Sequence, residues 1–139
     1  MTKRFKIGFT ASCFDLLHSG HITMLQEASS ICDHLIVGLN ADPSLDYPKK
    51  NKPIQTLMER QIQISAVKYV DQFFVYNTED ELYHLLVALP IDVRIVGADY
   101  QTKKFTGDDL GTEIYYNKRD HNWSSSRIRK RILESCENK

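Results

Sequence analysis

One pattern constrains this chain more than any other: short apolar runs that alternate with stretches of helical spacing. "FKIGFTA" (5–11), "HLIVGLNA" (34–41), "QFFVYN" (72–77), "DVRIVGA" (92–98) and "EIYYN" (113–117) read as strands. From Gly20 onward, Ile22, Leu25, Ala28 and Cys32 fall on one face, so a helix starts near His21. Thr56 with Glu59, and Thr78 with Glu81, make capping boxes that open helices over 56–70 and 81–89, the second ended by Pro90. A last helix spans 124–136 behind a serine N-cap. Strands that are apolar throughout must be buried on both faces. The pattern therefore predicts an α/β, Rossmann-like single domain over residues 1–139, with a five-stranded, mainly parallel sheet and helices on both faces. A chain of 139 residues can bury such a core without disulfides or a structural metal.

Ligands on sheets of this kind sit beyond the carboxyl ends of the strands, at the point where strand order reverses. The first strand ends just before "SCFDLLHSGH" (12–21), and no GxGxxG follows it, so an ordinary dinucleotide site is not indicated. With 18 basic and 18 acidic residues the net charge is zero, which argues against nucleic acid and membrane surfaces as partners. Three cysteines, Cys13, Cys32 and Cys136, without CxxC spacing suit a reducing compartment, and Met1–Phe5 carries no apolar leader. Together these give a cytoplasmic expectation. The segment 42–53, "DPSLDYPKKNKP", holds three prolines and three lysines without periodicity, long enough to be a functional loop.

His18 and His21, three apart around Gly20 at the head of a helix, have three readings. They can be a solvated or capping pair. They can be part of a zinc site, for which Cys13 and Asp15 are the only nearby additional ligands. Or they can handle phosphate: a helix N-terminus offers N–H groups and a positive dipole end, Gly20 admits close approach of an anion, and imidazoles donate hydrogen bonds, more strongly if protonated.

"CFDLLHSGH" resembles the HxGH signature of the nucleotidyltransferase superfamily, in its cytidylyltransferase branch. "WSSSRIR" (123–129) stands where that superfamily carries a serine/threonine motif before its last helix. "MER" (58–60) resembles its basic-residue helix, "GADY" (97–100) its Gly-x-Asp-Tyr/Trp loop, and "NKRDH" (117–121) the segment with an arginine before the serine motif. The likeness runs through nearly the whole chain, in order. It implies a fold of the glycerol-3-phosphate cytidylyltransferase type, with heptose-type sugar-phosphate adenylyltransferases as the runner-up. Ser12-Cys13 stands where the former more often have Gly-Thr and the latter Gly-Cys.

The resemblance implies transfer of CMP from CTP to a small phosphomonoester with release of pyrophosphate, Mg²⁺ held mainly by triphosphate oxygens, and a homodimer. It implies that His18 and His21 hold the triphosphate and its transition state, with Lys49 or Lys50 closing over the phosphates. Arg119, Ser124 and Ser125 would grip the β- and γ-phosphates, Asp99 the base or ribose, and Cys13, Phe14 and Gly20 the nucleotide. Arg60 and Lys68 would meet the acceptor phosphate. Simpler roles stand beside these: solvation for the loop lysines, a surface ion pair for Arg60, a helix cap for Ser124. A nucleotide-binding module without catalysis is the alternative of another class.

Overall fold

The computed structural model describes residues 5–138; Met1–Arg4, where the sequence was searched for a leader, and Lys139 lie outside the described residues. Five strands, β1 (Phe5–Ser12), β2 (Cys32–Asn40), β3 (Gln72–Tyr76), β4 (Val93–Gly97) and β5 (Glu113–Asn117), form one sheet. Its order is β3-β2-β1-β4-β5, with β1 at the centre, and all four pairings are parallel. The helices are α1 (Ser19–Ser30), α2 (Leu57–Ser65), α3 (Glu79–Ala88) and α4 (Ser125–Glu137). Strand order reverses between β1 and β4, so the cleft at a switch point is expected beyond their carboxyl ends.

Alternation along the strands divides the core into two layers. Leu35, Val37 and Leu39 of β2 pack with Leu25 and Ala28 of α1 and Ile64 of α2. Ile36, facing the other way, packs with Phe9, Tyr76 and with Leu82 and Leu86 of α3. Both faces are thus covered, and β2 buries both of its sides, while the edge strands β3 and β5 are only partly covered.

The helix limits differ from the sequence reading for local reasons. Ser19 opens α1 because His18 is its N-cap, and Cys32 belongs to β2 instead of closing the helix face. Its thiol still reaches back to the Ala28 carbonyl at 3.3 Å. The second helix stops at Ser65, short of residue 70. Tight turns through Val67 and Val70 follow, and they carry apolar side chains under the sheet edge. Thr78 caps α3 through Glu81 N–H, but the Glu81 carboxylate reaches Asn77 N–H at 2.5 Å, one residue beyond the expected box. Parallel β4 and β5 need a crossover, and residues 98–112 make it with a 3₁₀ turn (Ala98–Thr102) instead of an α-helix. Gly107 and Gly111, at φ 84° and 76°, let this polar segment double back.

Candidate active site

A cleft of about 910 Å³ opens at the carboxyl end of the sheet. The α1 and α4 side contributes His18, Gly20, His21, Arg119, His121 and Ser124; the α3 side contributes Tyr76, Glu79, Arg94, Tyr100 and Thr106.

The turn from β1 into α1 sets the geometry. Phe14 and Leu16 both sit at φ 51°, in the left-handed region that side chains with a Cβ seldom occupy. Bonds from distant chain segments hold them there. Buried Asp15 accepts from Ile54 N–H and Gln55 N–H at 2.9 Å each and pairs with Arg129 Nη2 of α4 at 2.8 Å. Gln55 Oε1 takes Leu16 N–H at 2.8 Å. Asp15 clamps the loop before α2 and the last helix to the site.

His18 and His21 form a reciprocal cap. His18 Nδ1 accepts from Gly20 N–H at 3.0 Å, and His21 Nδ1 accepts from His18 N–H at 3.2 Å. Their ring centroids are 3.9 Å apart. An accepting Nδ1 carries no proton, so each neutral ring holds its hydrogen on Nε2, and that N–H is what it can offer a ligand. Burial pushes His18 below its ordinary pKa, with nearby His121 and Arg119 adding to the effect. Burial pushes His21 down to about 4, with His18 adding and Asp15 opposing. Near neutral pH the pair presents neutral donors to the cleft, not the imidazolium ions that would donate more strongly. Capping and phosphate binding, alternatives on paper, are compatible here because they use different ring nitrogens.

Two neighbours have other work than expected. Phe14 is fully buried in the core and lies under His21, ring centroids 5.3 Å apart, so it supports the histidine instead of touching nucleotide. Gly20 is glycine because the His18 ring folds over it: an added Cβ would lie 2.8 Å from His18 Cε1 and 3.0 Å from His121 Cε1. Its N–H is already bonded to His18, so it is not the open anion contact the sequence suggested. Half-buried Cys13 lines the cleft, and burial raises its thiol pKa, which keeps it protonated and a poor nucleophile.

At the head of α4, Ser124 Oγ accepts from Arg127 N–H at 3.1 Å as an N-cap and keeps its own proton to donate. Ser125 Oγ has given its proton to the Asp15 carbonyl at 3.1 Å. Of the two serines, only Ser124 is free to donate to a phosphate oxygen. Arg119 lines the cleft, with Nη2 on the Trp123 carbonyl at 3.3 Å. Asp99 lies at the rim, exposed and 3.9 Å from Lys103. His121 was passed over in the sequence, although "NKRDH" displays it. Its Nδ1 accepts from Trp123 N–H at 3.1 Å and its ring stacks on Trp123. It becomes a third imidazole in the cleft, again with Nε2–H to offer.

The four basic residues assigned from the middle of the chain divide. Lys50 lines the cleft with its Nζ 4.7 Å from the centroid of the Tyr47 ring, while Lys49 is exposed and outside the lining. Lys68 lies on a separate shallow groove with Leu17 and Tyr69, away from the cleft, and cannot meet an acceptor there. Arg60 is neither a phosphate ligand nor a surface partner. It is 2% exposed. Its Nη1 donates to Cys13 O at 3.0 Å and Asn40 O at 2.6 Å, Nη2 to Ala41 O at 2.5 Å, and Nε to Gln55 O at 3.3 Å. The guanidinium ties the ends of β1 and β2 to α2.

Among the described residues no three His, Cys, Asp or Glu side chains come together as a metal site, so His18 and His21 gain no zinc partners from Cys13 and Asp15. The cleft offers mainly donors and cations around His18, and that donor set suits a polyphosphate.

A switch-point cleft with an HxGH cap at one helix head and a serine cap at another defines a nucleotidyltransferase-type site. The model of the family described as cytidylyltransferase-like matches residues 9–131, and the chain belongs to that family. It is 38% identical over 132 residues to the bifunctional protein HldE of Helicobacter pylori strain 26695, a match covering 94% of this chain and 28% of that one. HldE of Wolinella succinogenes is also 38% identical, over 131 residues covering 94% of this chain and 27% of that protein. The chain thus spans little more than a quarter of the curated relatives it matches. The lipopolysaccharide core biosynthesis protein from Thermoplasma volcanium superposes with a TM-score of 0.66 at 25% identity, covering 83% of this chain and 98% of that one.

Proposed function

We propose that the chain transfers an adenylyl group from ATP to a sugar phosphate, the heptose-type reaction, and releases pyrophosphate. The observation that carries the transfer chemistry is the reciprocal His18–His21 cap, which leaves two Nε2–H donors at the head of α1 in a cleft that Arg119 and Ser124 also line. The choice of ATP and a sugar phosphate over CTP and glycerol 3-phosphate is supported by the relatives: the bifunctional HldE proteins and the lipopolysaccharide core biosynthesis protein of Thermoplasma volcanium.

In this reading an acceptor phosphate oxygen attacks the α-phosphorus in line. A new P–O bond forms as the bond to the β-phosphate bridging oxygen breaks, and pyrophosphate leaves. The protein supplies no nucleophile. His18 and His21 stabilise charge as it grows on the α-phosphoryl oxygens, and their rings are already fixed by their own capping bonds. Arg119 and Ser124 hold the leaving phosphates, and Lys50 approaches from the lid loop. Mg²⁺ held by triphosphate oxygens would neutralise phosphate charge there.

The test is pyrophosphate release from ATP and from CTP, each against glycerol 3-phosphate and a set of aldose 1-phosphates. The expected outcome is a kcat/KM at least tenfold higher for ATP with an aldose phosphate. A preference for CTP with glycerol 3-phosphate returns the cytidylyl reading, which the family description favours. Nucleotide binding without pyrophosphate release by any pair would leave a binding module.

A further inference from the structure

The α3 side of the cleft contains a buried cation that the transfer chemistry above does not use. Arg94 sits in β4, within an otherwise apolar run, and is 6% exposed. Among the described residues no carboxylate lies within ion-pair distance of it, the two ion pairs being Lys103–Asp99 and Arg129–Asp15. Its Nη1 donates to the Thr106 carbonyl, and its guanidinium carbon lies 5.0 Å from the centroid of the Phe105 ring. Its Nε is buried with no hydrogen-bond partner. A guanidinium does not escape such a site by losing its proton. A buried, incompletely paired charge is unfavourable on its own and is relieved when an anion arrives.

The surroundings indicate what kind of anion. Glu79 stands at the head of α3 with Oε2 accepting from Thr106 Oγ1 at 2.8 Å, and it lines the same wall as Tyr76 and Tyr100. A carboxylate and phenol hydroxyls suit a polyhydroxylated ligand, because they accept from and donate to sugar hydroxyls. An arginine suits a phosphate, which it can grip with two N–H bonds. Gly107 keeps this wall open: a Cβ there would lie 2.9 Å from Arg94 Nη1 and 2.6 Å from Leu86 Cδ1. Among the described residues Arg60 is consumed by carbonyls and Lys68 faces another groove; Lys104, beside Phe105 and Thr106, also lines the cleft but is exposed, whereas Arg94 is held in the wall by burial.

We propose that this wall is the acceptor subsite and that Arg94 binds the phosphate of a phosphorylated sugar, with Glu79 and Thr106 beside it to read hydroxyls. The assignment rests on the transfer reaction proposed above and adds to it which residues select the acceptor. Nucleotide and acceptor then enter on opposite sides of the His18–His21 pair, each with its own positive charge, which eases the approach of two polyanions.

The experiment compares the wild type with Arg94→Gln and Arg94→Lys. Titration calorimetry follows ATP, and separately the aldose phosphate that the pyrophosphate assay ranks first; steady-state kinetics follow both substrates. The subsite predicts at least a tenfold rise in KM and Kd for the aldose phosphate in Arg94→Gln, with ATP affinity within twofold of wild type. Arg94→Lys, a point charge without the fork, should fall between the two. If Arg94→Gln does not fold, Arg94→Lys carries the same comparison. Equal losses for both substrates would make Arg94 structural and overturn the proposal, as would loss of ATP alone or no loss at all. Failure of the wild type to bind or turn over any phosphomonoester would remove the transfer reading itself, and the subsite with it. Unchanged acceptor kinetics in Arg94→Gln would remove the subsite only.

Discussion

Arg60 and Arg94 are both buried cations beneath the same cleft, 2% and 6% exposed, and they differ in how their charge is met. Arg60, under the turn between β1 and α1, gives its Nε and both terminal nitrogens to four main-chain carbonyls. Arg94, in the α3-side wall, has one carbonyl and a buried Nε without a partner. Carbonyl partners drawn from three chain segments make a cation into architecture. A cation left partly unmet in a cleft wall is placed for a ligand. Burial alone does not separate the two cases; the count of satisfied donors does.

The largest effect expected from this contrast is on stability. Arg60→Met fits the space but orphans four carbonyl groups, each costing about 1–3 kcal/mol when buried and unpaired. Some will find water, so a loss of about 4 kcal/mol or more in chemical denaturation is expected, enough to unfold a marginal domain. A loss below about 1 kcal/mol would show that Arg60 does not hold the strand ends.

Next comes catalysis. His21→Asn keeps an acceptor near the His18 N–H and so keeps the cap, but it removes the Nε2–H donor. Its kcat should fall by about 10²–10³ while ATP affinity changes little, because the donor matters most when charge develops. Normal turnover in this variant would remove the catalytic role and leave His21 a capping residue.

The pH dependence of stability is smaller and has a definite sign. His21 titrates at about 4 in the folded chain, below the ordinary histidine value near 6.5. Between these values the unfolded chain binds the proton and the folded chain does not. Stability is therefore fully present above about pH 6.5 and declines as pH falls toward 4, by about 2 kcal/mol at pH 5. The slope of unfolding free energy against pH should flatten in His21→Asn. An equal slope in variant and wild type would assign the proton uptake elsewhere.

The smallest contrast lies within the 42–53 loop. Lys50 lines the cleft and Lys49 does not. Lys50→Ala should lower kcat/KM for ATP by about tenfold, equivalent to about 1.4 kcal/mol, and Lys49→Ala by less than twofold. Equal effects would mean that the loop positions the two residues differently when nucleotide is bound.

Much of this architecture was legible in the order of residues. Apolar runs with β-formers marked all five strands, and threonine and serine at helix heads marked three of the four N-caps, Thr56, Thr78 and Ser124; the first helix instead begins two residues before the expected His21, capped by His18. The HxGH stretch pointed to the cleft that His18, Gly20 and His21 line, because a strand end followed by a helix head is a local event. Arg60 was misjudged because a charged residue on an amphipathic helix normally faces water, and three of its acceptors lie near residues 13, 40 and 41, far away in sequence. Arg94 left a readable trace, a charge inside an apolar strand, but that trace did not say whether a partner waited across the sheet. His121 was visible and unremarked, since its place beside Gly20 depends on how the 118–124 loop returns over α1.

The sequence by itself determined the class of fold, the parallel sheet with a helix layer on each face, and the cap-and-loop motifs that make the phosphate side of the cleft. The caps depend on side chains bonding backbone two or three residues away and the fold class on periodicity, interactions that close within a few turns of chain. Only the tertiary structure decided which cation is satisfied and which is not, which serine keeps its proton, and which wall of the cleft holds a buried arginine with an unmet donor. A buried donor is met or unmet according to what the folded chain brings within about 3 Å of it, and those partners come from elements tens of residues apart.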